Sequence, residues 1–428
     1  MFTINKINFK NQGRTISYDY DIDYSILKYF NNKESFYVTY QEDVSSLPES
    51  INIIPLLANI IPIAWFVGFD VYVDELDETF YKSLQNLKEE FLIHFPQIKL
   101  KSNLYVNSLV KNMIPGNNKG LLFSGGLDSF ESLTRNIDFN PYLISVLGAD
   151  IEINDKRRWS DFKKFNNEEK IINTKRLLYV ESNLRTFYTY KVDLLVGVSW
   201  WGKIQHGMAL ITLIAPLSVL YGIKTVLIAS SNTGEVSFGW GSTFETDEKV
   251  KWADQQTVHD GFHLRRTEKI QKIVDFANRK KNYINLRVCY SEWREGYNCS
   301  KCTKCQRTIL GIILCGENPN NYGFDVPGNF YDLIFENFQH NTKMTIGVSY
   351  EWRCLQEKAT QVCSPFIIEN EHLEKIKIKT FSNLEIQDDI NKENENTQKL
   401  DQIKFILINK FKFVFKYYLQ MRKKLNSK

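Results

Sequence analysis

Apolar and polar positions in the first 115 residues follow the patterns of short strands and a helix. Apolar and polar side chains alternate from Ile16 to Tyr24, which is typical of a half-buried strand. The pattern predicts two further strands, at 36–40 and 68–73, and a helix over 80–95. We therefore expect a small α+β domain over residues 1–115, with a docking or scaffolding role.

From Lys119 onwards, short apolar runs alternate with helical stretches. The predicted strands lie at 120–123, 142–147, 177–180 and 225–229. One predicted helix follows the first strand and ends at Arg135, and a second, longer helix spans 207–221. Strands separated by helices imply crossover connections, and hence an α/β domain whose parallel sheet carries helices on both faces. We assign it to residues 116–325. Ligands of such sheets bind beyond the carboxyl ends of the strands, near a switch in strand order.

The remaining residues, 326–428, are predicted to form a helical extension. The polar stretch 387–398 has no apolar period and is expected to be a linker or an exposed loop. Beyond it, apolar residues recur at spacings of three and four and predict an amphipathic helix: Ile403, Leu407, Phe411, Val414, Tyr418, Met421 and Leu425. Residues 401–428 hold eight Lys/Arg and one Asp. The helix is either a packed helix with a solvated basic face or a contact for an acidic partner or nucleic acid.

Composition narrows the class of protein. The chain has 428 residues, of which 43% are hydrophobic and 24% charged, values that exclude a disordered, collagenous or coiled-coil main body. The 54 Lys+Arg against 50 Asp+Glu do not by themselves indicate a nucleic-acid binder. The longest apolar run, 53–69, is interrupted by Pro55, Asn59 and Pro62, so we interpret it as core. The first residues lack the apolar region of a signal peptide, and we expect a cytoplasmic protein without a membrane contact.

The cysteines point to a metal site. There are seven, an odd number, and all lie in the last third of the chain, which argues against a disulfide framework. Four have the spacing C-x9-C-x2-C-x2-C and suit a tetrahedral, closed, structural zinc site: Cys289, Cys299, Cys302 and Cys305. An iron–sulfur cluster and an unmetallated core are the alternatives. We interpret Cys315, Cys354 and Cys363 as core residues.

The segment Leu121–Ser129, LLFSGGLDS, carries the features of a phosphate site. Its two glycines allow the backbone to approach a ligand closely, and the helix that follows presents free N–H groups. Ser124 and Ser129 can donate hydrogen bonds to phosphate oxygens, and Asp128 can cap the helix or face Mg²⁺. The pattern fits neither the P-loop nor the dinucleotide fingerprint.

This segment resembles the Ser-Gly-Gly-x-Asp-Ser loop of the PP-loop ATP pyrophosphatases. The resemblance implies that ATP is cleaved between its α- and β-phosphates, that an adenylated intermediate forms, and that a nucleophile displaces AMP. ATP, with Mg²⁺, would then be held by Ser124, Gly125, Gly126, Leu127, Asp128 and Ser129, and adenine by the backbone of Val146, Leu147 and Gly148.

The loop and the cysteine cluster together, over about residues 118–316, resemble 7-cyano-7-deazaguanine synthase. The flanking regions and the segment after Ser231 depart from that enzyme and look more like synthase-like proteins encoded in anti-phage defence operons. The resemblance implies a 7-carboxy-7-deazaguanine-like carboxylate and a nitrogen nucleophile. That nucleophile is either ammonia or an amine of an operon-encoded acceptor protein.

Several residues between the two motifs are candidates for the chemistry. His206, at the start of a helix, and Lys269, in a segment that resembles the synthase, are the catalytic candidates beside Asp128; Lys269 would be a cation over the pyrophosphate, with Arg307 as a second one. The substrate candidates follow a strand or lie on a flexible aromatic loop: Ser231, Asn232, Trp240, Glu245 and Asp247. For each of these residues the alternative is a structural role, as a helix cap, a packing side chain or part of a solvent-exposed loop or helix face.

Two other functions are consistent with the sequence. A tRNA-thiolating PP-loop enzyme would explain the basic tail, but needs a reactive cysteine or a labile cluster near the loop. A non-catalytic subunit that binds nucleotide would bind ATP without turnover.

Overall fold

The computed structural model describes residues 1–31, 33–231, 233–236, 240–289, 296–340, 343–388 and 395–411. The predicted Asn232 and residues 412–428 of the basic tail lie outside these ranges. The strands are β1 Phe2–Lys10, β2 Thr15–Ile22, β3 Tyr37–Thr39, β4 Val71–Asp77, β5 Leu104–Val110, β6 Asn118–Leu122, β7 Tyr142–Leu147, β8 Leu177–Ser182, β9 Ile223–Ala229, β10 Gln256–Asp260, β11 Lys343–Met344 and β12 Gln387–Asp388.

Helices cover most of the intervening chain. They are α1 Glu49–Asn52, α2 Ile54–Val67, α3 Glu78–His94, α4 Leu127–Arg135, α5 Lys156–Glu168, α6 Tyr190–Asp193, α7 His206–Thr212, α8 Ala215–Tyr221, α9 Phe244–Asp247, α10 Arg266–Lys280, α11 Thr303–Ile313, α12 Phe330–His340, α13 Ile346–Gln361, α14 Glu371–Ser382 and α15 Glu395–Lys410. A π-helical turn, Trp201–Gln205, leads directly into α7.

Ten of the strands form one sheet in the order β10-β9-β6-β7-β8-β3-β2-β1-β4-β5. The five strands from β10 to β8 are parallel, and β1, β4 and β5 are also parallel to one another. The pairs β8–β3, β3–β2 and β2–β1 are antiparallel. The predicted α/β class, with a large, mostly parallel sheet flanked by helices, is confirmed.

The sheet runs through the predicted boundary at residue 115. Val38 of β3 pairs with Ser182 of β8, so the N-terminal strands extend the sheet of the later segment. One cluster of buried apolar side chains includes both Val38 and Val180. The N-terminal region therefore shares its sheet and its core with the segment that follows, and the division into three domains stays a prediction.

The chain order of the central strands creates a switch point. From β6 the chain adds β7 and then β8 on one side, and it returns to place β9 on the opposite side of β6. The carboxyl end of β6 consequently borders a crevice, because the connections on its two sides run in opposite directions. The glycine-rich segment begins immediately after β6, at the place where open parallel sheets bind their ligands.

The long apolar helices are core elements. Twelve of the fourteen residues of α2 are buried, as predicted for the run 53–69. Within the described ranges, one helix, Trp201–Tyr221, is long and apolar enough to cross a membrane, but 72% of its most apolar window is buried inside the protein. This degree of burial is typical of a core helix, and we assign the segment to the core.

The C-terminal extension departs from two predictions. The polar stretch 387–398 contains β12 at its start, and α15 begins inside it at Glu395, so it is not a continuous linker. The apolar stripe of the amphipathic helix points outwards in α15, since Ile403, Leu407 and Phe411 are 54%, 51% and 57% exposed. The packing of α15 instead uses Phe405, whose ring lies 6.5 Å from that of Tyr190.

Candidate functional site

The turn between β6 and α4 is built for close approach to its backbone. Gly125 has φ +71, and a Cβ there would lie 2.9 Å from the ring of Phe165. A left-handed conformation combined with this contact requires glycine. Gly126 is the N-cap of α4 and supplies no side-chain acceptor. The first N–H groups of α4 are therefore available to an anion, which the positive end of the helix dipole also favours.

Hydroxyl groups and one arginine shape this turn. Ser129 donates a hydrogen bond from Oγ to the carbonyl of Gly126 at 3.1 Å, and the Oγ atoms of Ser124 and Ser129 lie 3.4 Å apart. Arg287 fixes the turn from outside. Its backbone N–H donates to the carbonyl of Gly125 at 2.8 Å and its Nη1 donates to the carbonyl of Ser124 at 3.2 Å.

A pocket opens over this turn and collects most of the predicted residues. Those in its wall are Ser124, Gly126, Leu127, Asp128, Ser129, Val146, His206 and Ser231. They come from the carboxyl ends of β6, β7 and β9 and from the start of α7. The structure thus brings together segments up to about a hundred residues apart, as expected for a ligand site at a switch point.

Positive charge surrounds Asp128 at the floor of the pocket. Nζ of Lys269 lies 3.3 Å from its Oδ1, and Nη1 of Arg266 lies 3.5 Å from its Oδ2. Burial alone would raise the pKa of Asp128, but Lys269, Arg266 and Lys304 outweigh it and hold that pKa below the ordinary value. Lys269 also donates to the backbone carbonyl of Ser230. Two of the predicted catalytic residues, Asp128 and Lys269, therefore contact each other in the structure.

The predicted cation Arg307 is used elsewhere. Its Nε lies 2.8 Å from Glu351 Oε2, and the residue is 6% exposed. It is not among the described residues of the pocket wall, which include Arg266, Arg287 and Lys304 instead. The pocket wall thus carries three cations and two carboxylates, Asp128 and Asp150, and Lys269 adds a fourth cation behind Asp128. This excess of positive charge suits an anionic ligand.

A buried ion-pair network fixes α4 from behind. Arg135, in the last turn of α4, contacts Glu131 and also places Nη2 2.8 Å from Asp260 Oδ2. Ser132 donates to the same carboxylate of Asp260. Because Asp260 ends β10, this network holds the helix that carries Asp128 against the sheet.

Three of the predicted substrate residues, Trp240, Glu245 and Asp247, are absent from the pocket wall, and the Trp240 ring packs against His206. Asp247 is fully buried and accepts hydrogen bonds from Ser242 Oγ at 2.7 Å and from Nδ1 of His259 at 2.8 Å. Glu245 lies exposed in the first turn of α9. Neither carboxylate is placed to read a base edge in this pocket, because one is occupied by internal donors and the other faces solvent.

The carboxyl end of β7 contributes one of the three residues that were predicted to contact adenine. Val146 lines the pocket, whereas Leu147 is fully buried in the core. Gly148 has φ +105, and a side chain there would overlap the carbonyl oxygen of Ser182. This glycine is therefore required for close packing of the turn against β8.

Several pocket residues could not be identified from the sequence pattern. Trp159 and Phe162 of α5 stack at 5.7 Å and supply an aromatic wall, and the guanidinium of Arg287 lies 5.0 Å from the centre of the Phe162 ring. Asp150 and Lys304 also line the pocket. Burial lowers the pKa of Lys304 to about 8, with the positive charge of Arg266 acting in the same direction. These residues belong to surface-like polar stretches of the sequence, and only the tertiary fold turns them towards the loop.

The four clustered cysteines form a candidate metal centre. Their sulfur atoms all lie within 4.8 Å of one another, with separations of 3.8 Å for Cys289–Cys302, 3.9 Å for Cys299–Cys305 and 3.5 Å for Cys302–Cys305. A tetrahedron of sulfurs about 2.3 Å from zinc has edges of about 3.8 Å. The predicted set of four ligands is therefore assembled with the spacing that a zinc ion needs.

Asn298 organises the backbone around this centre. Its Oδ1 accepts from the N–H groups of Val288, at 3.0 Å, and Cys289, at 3.2 Å, while its Nδ2 donates to the carbonyls of Leu286 and Gly323, both at 2.7 Å. Cys302 is the N-cap of α11. Arg287, which holds the turn between β6 and α4 and lines the pocket, lies two residues before Cys289. The metal centre therefore supports this part of the pocket wall.

Comparison of the chain with protein-family models, with curated proteins and with solved structures finds no match. The interpretation of the site consequently depends on its geometry and its charges.

Proposed function

We propose that the protein is an ATP-dependent adenylating enzyme that joins a carboxylate to a nitrogen nucleophile. The observation that carries the proposal is the glycine turn after β6, which leads into the uncapped start of α4 at the switch point of the sheet. Backbone N–H groups in such a position are suited to a diphosphate. The cations around Asp128 supply the charge that phosphate binding needs.

The pocket suits the two parts of ATP differently. The turn Ser124–Ser129 would hold the β- and γ-phosphates, with Lys269 and Arg266 close by. Asp128 is 17% exposed, so its carboxylate can face a Mg²⁺ that accompanies the phosphates. The adenine would lie against Val146 and the aromatic wall of Trp159, since planar bases stack on indole rings. Catalysis would then come from positioning and from stabilisation of developing charge.

The resemblance to 7-cyano-7-deazaguanine synthase supports a 7-carboxy-7-deazaguanine-like acyl substrate. It would occupy the part of the pocket that His206 and Ser231 line. The adenylated carboxylate would react with ammonia or with a protein amine to give an amide, and a second activation would give a nitrile. The regions outside residues 118–316 favour a protein acceptor in a defence operon, because they provide surface for docking. Mass spectrometry of an operon partner decides between these nucleophiles.

The test is release of AMP and pyrophosphate on mixing ATP, Mg²⁺, 7-carboxy-7-deazaguanine and ammonium, because AMP leaves only when the nitrogen nucleophile attacks the adenylate. Wild-type protein should release the two products in equal amounts, and only when the carboxylate is present. Asp128→Ala should abolish the release. Asp138→Ala, an exposed change just beyond α4, should leave it unchanged. Release that survives in Asp128→Ala would contradict the site assignment.

The alternative of tRNA thiolation receives no support from the pocket. Among the described residues of the pocket wall there is no cysteine, and the four clustered cysteines are arranged as one ligand set. A purified protein that is colourless and holds about one zinc would agree with this interpretation. Binding of ATP without turnover on any carboxylate would instead indicate a nucleotide-binding subunit.

A further inference from the structure

His206 is a pocket residue whose imidazole has no hydrogen-bond partner among the residues that the structure describes. It begins α7, directly after the π-helical turn Trp201–Gln205. Its Nδ1 is buried and unpaired, and neither ring nitrogen is paired with another residue in the described part of the chain. Buried polar groups are nearly always paired, so an unpaired imidazole in a pocket wall suggests a ligand contact. π-helical turns are also frequent at functional sites.

Packing rather than hydrogen bonding orients this ring. The ring of Trp201 lies edge-on to the imidazole at 5.0 Å, and the ring of Trp240 is tilted against it at 5.9 Å. The Trp240 ring occupies the space that a side chain at Gly202 would need, 2.7 Å from its Cβ position. The N–H of Gly241 donates to the carbonyl of Gly202, which fixes this arrangement. Because Nδ1 is enclosed by protein, Nε2 is the nitrogen that a bound molecule can reach.

Burial keeps His206 a proton acceptor at neutral pH. Burial lowers the pKa of His206, while Asp150 and Asp247 act in the opposite direction and Arg185 acts with burial. The net effect is a pKa below the ordinary value of 6.5, so the imidazole is neutral at pH 7. A neutral imidazole next to the reacting centre can remove a proton from an incoming group.

The other acceptors near the pocket are less suitable. Asp128 is paired with Lys269 and Arg266. His259 is hydrogen-bonded to the buried Asp247 at 2.8 Å. Asp150 lines the pocket, but a carboxylate is a much weaker base than a neutral imidazole.

We propose that His206 is the general base that takes a proton from the nitrogen nucleophile during amide formation. The inference rests on the proposed adenylating function. The nucleophile arrives as an ammonium ion and gives one proton to Nε2 of His206. Its freed electron pair then forms a bond to the carbonyl carbon of the acyl adenylate. The bond between that carbon and the phosphate oxygen breaks, its electron pair leaves with AMP, and a second proton passes from the nitrogen to water.

The test separates the two half-reactions in His206→Gln. Exchange of labelled pyrophosphate into ATP, with 7-carboxy-7-deazaguanine present, reports adenylation and should stay within a factor of two or three of wild type, because a base acts after this step. Amide formation is then measured with ammonia and with glycinamide, which are mostly protonated at neutral pH, and with hydroxylamine, which is not. We expect the rate to fall about 100-fold with the protonated amines and to change little with hydroxylamine.

The control is His263→Gln, the same change at an exposed histidine outside the pocket wall, which should behave as wild type in all assays. Equal loss with all three nucleophiles, or loss of the exchange reaction itself, would show that His206 supports the fold or the nucleotide and would overturn the proposal. Unchanged rates with ammonia and glycinamide would overturn it as well. Absence of exchange in the wild-type protein would instead reject the adenylating function.

Discussion

In the proposed function, Gly125 and Asp128 decide whether a diphosphate can occupy the turn after β6. The first allows the backbone to bend with φ +71 beside Phe165, and the second lies between Lys269 and Arg266. The sequence alone identified both positions, because the pattern Ser-Gly-Gly-x-Asp-Ser is local and each of its residues has a local role. It also identified Lys269, although its contact with Asp128 joins residues far apart in the chain.

Replacing Gly125 should remove nucleotide binding. In Gly125→Ala the new methyl group meets Phe165 in a left-handed conformation, so we expect a loss of about 1–3 kcal/mol in unfolding free energy and no measurable ATP binding by calorimetry. Gly68→Ala is the matched control. Gly68 also has a left-handed conformation, φ +88, but its nearest neighbour, the Lys101 side chain, is at an ordinary 3.6 Å. This control should lose stability and retain ATP binding; equal binding by both variants would contradict the account.

Asp128 should make stability depend on acid pH. Its folded-state pKa lies below the ordinary 3.8, so its ionised form stabilises the fold above that pH, and the contribution is lost as the pH falls through the lower folded value. In Asp128→Asn the almost fully buried Lys269 loses its counter-charge, and the unfolding free energy at pH 7 should fall by about 3 kcal/mol. Denaturant unfolding between pH 7 and 3 measures both effects. A variant with wild-type stability at pH 7 and the same acid dependence would refute this role.

The elements of the fold differ in how far the sequence specified them. The strand predicted at 142–147 is β7 as observed, because a continuous apolar run belongs to a strand buried on both faces. β5 was not predicted, since its alternating side chains are largely exposed at the edge of the sheet. β10 escaped prediction because it ends in the polar pair His259 and Asp260, whose partners lie on other elements.

The cysteine cluster was predictable because most of its ligands are neighbours in the sequence. Cys299, Cys302 and Cys305 are close in sequence, so their spacing alone indicates a common ion. The role of Asn298 in organising this loop could not be predicted, because its partners Leu286 and Gly323 are distant from it in the chain. The buried position of Asp247 was not predictable either, since its hydrogen bond to His259 depends on how α9 meets β10.

Loss of a cysteine ligand should disorganise this element. Cys302→Ser removes a ligand at the start of α11, so we expect loss of the single bound zinc and a lower melting temperature. Metal analysis by mass spectrometry and thermal unfolding are the measurements. Cys363→Ser, at an exposed cysteine outside the cluster, should keep both zinc and melting temperature. A full zinc content in Cys302→Ser would show that the four sulfurs are not one ligand set.

The whole molecule is organised by one ten-stranded sheet that joins the N-terminal region to the pocket. The antiparallel pairing of β3 with β8 connects residues about 140 positions apart, which no local pattern reveals. Asp77 adds a second connection. It is fully buried, caps α3 through the N–H of Phe80 and accepts from the N–H of Ala253, both at 2.9 Å. Regions that seem separable in the sequence are therefore physically continuous.

This continuity predicts cooperative unfolding of the region up to residue 325. Calorimetry of the full chain should show the N-terminal strands and the pocket strands melting in a single transition, because β8 would otherwise expose its edge and its core face. Asp77→Ala should lower that transition temperature as a whole, with the loss of a helix cap and of the contact to Ala253. Two resolved transitions, of which Asp77→Ala shifts one, would indicate independent domains.

A crystal structure with a non-hydrolysable ATP analogue and Mg²⁺ tests the central claim most directly. The account predicts the β- and γ-phosphates on the N–H groups of residues 125–129, with Lys269 and Arg266 nearby. An analogue bound elsewhere, with this turn empty or closed by side chains, would contradict it.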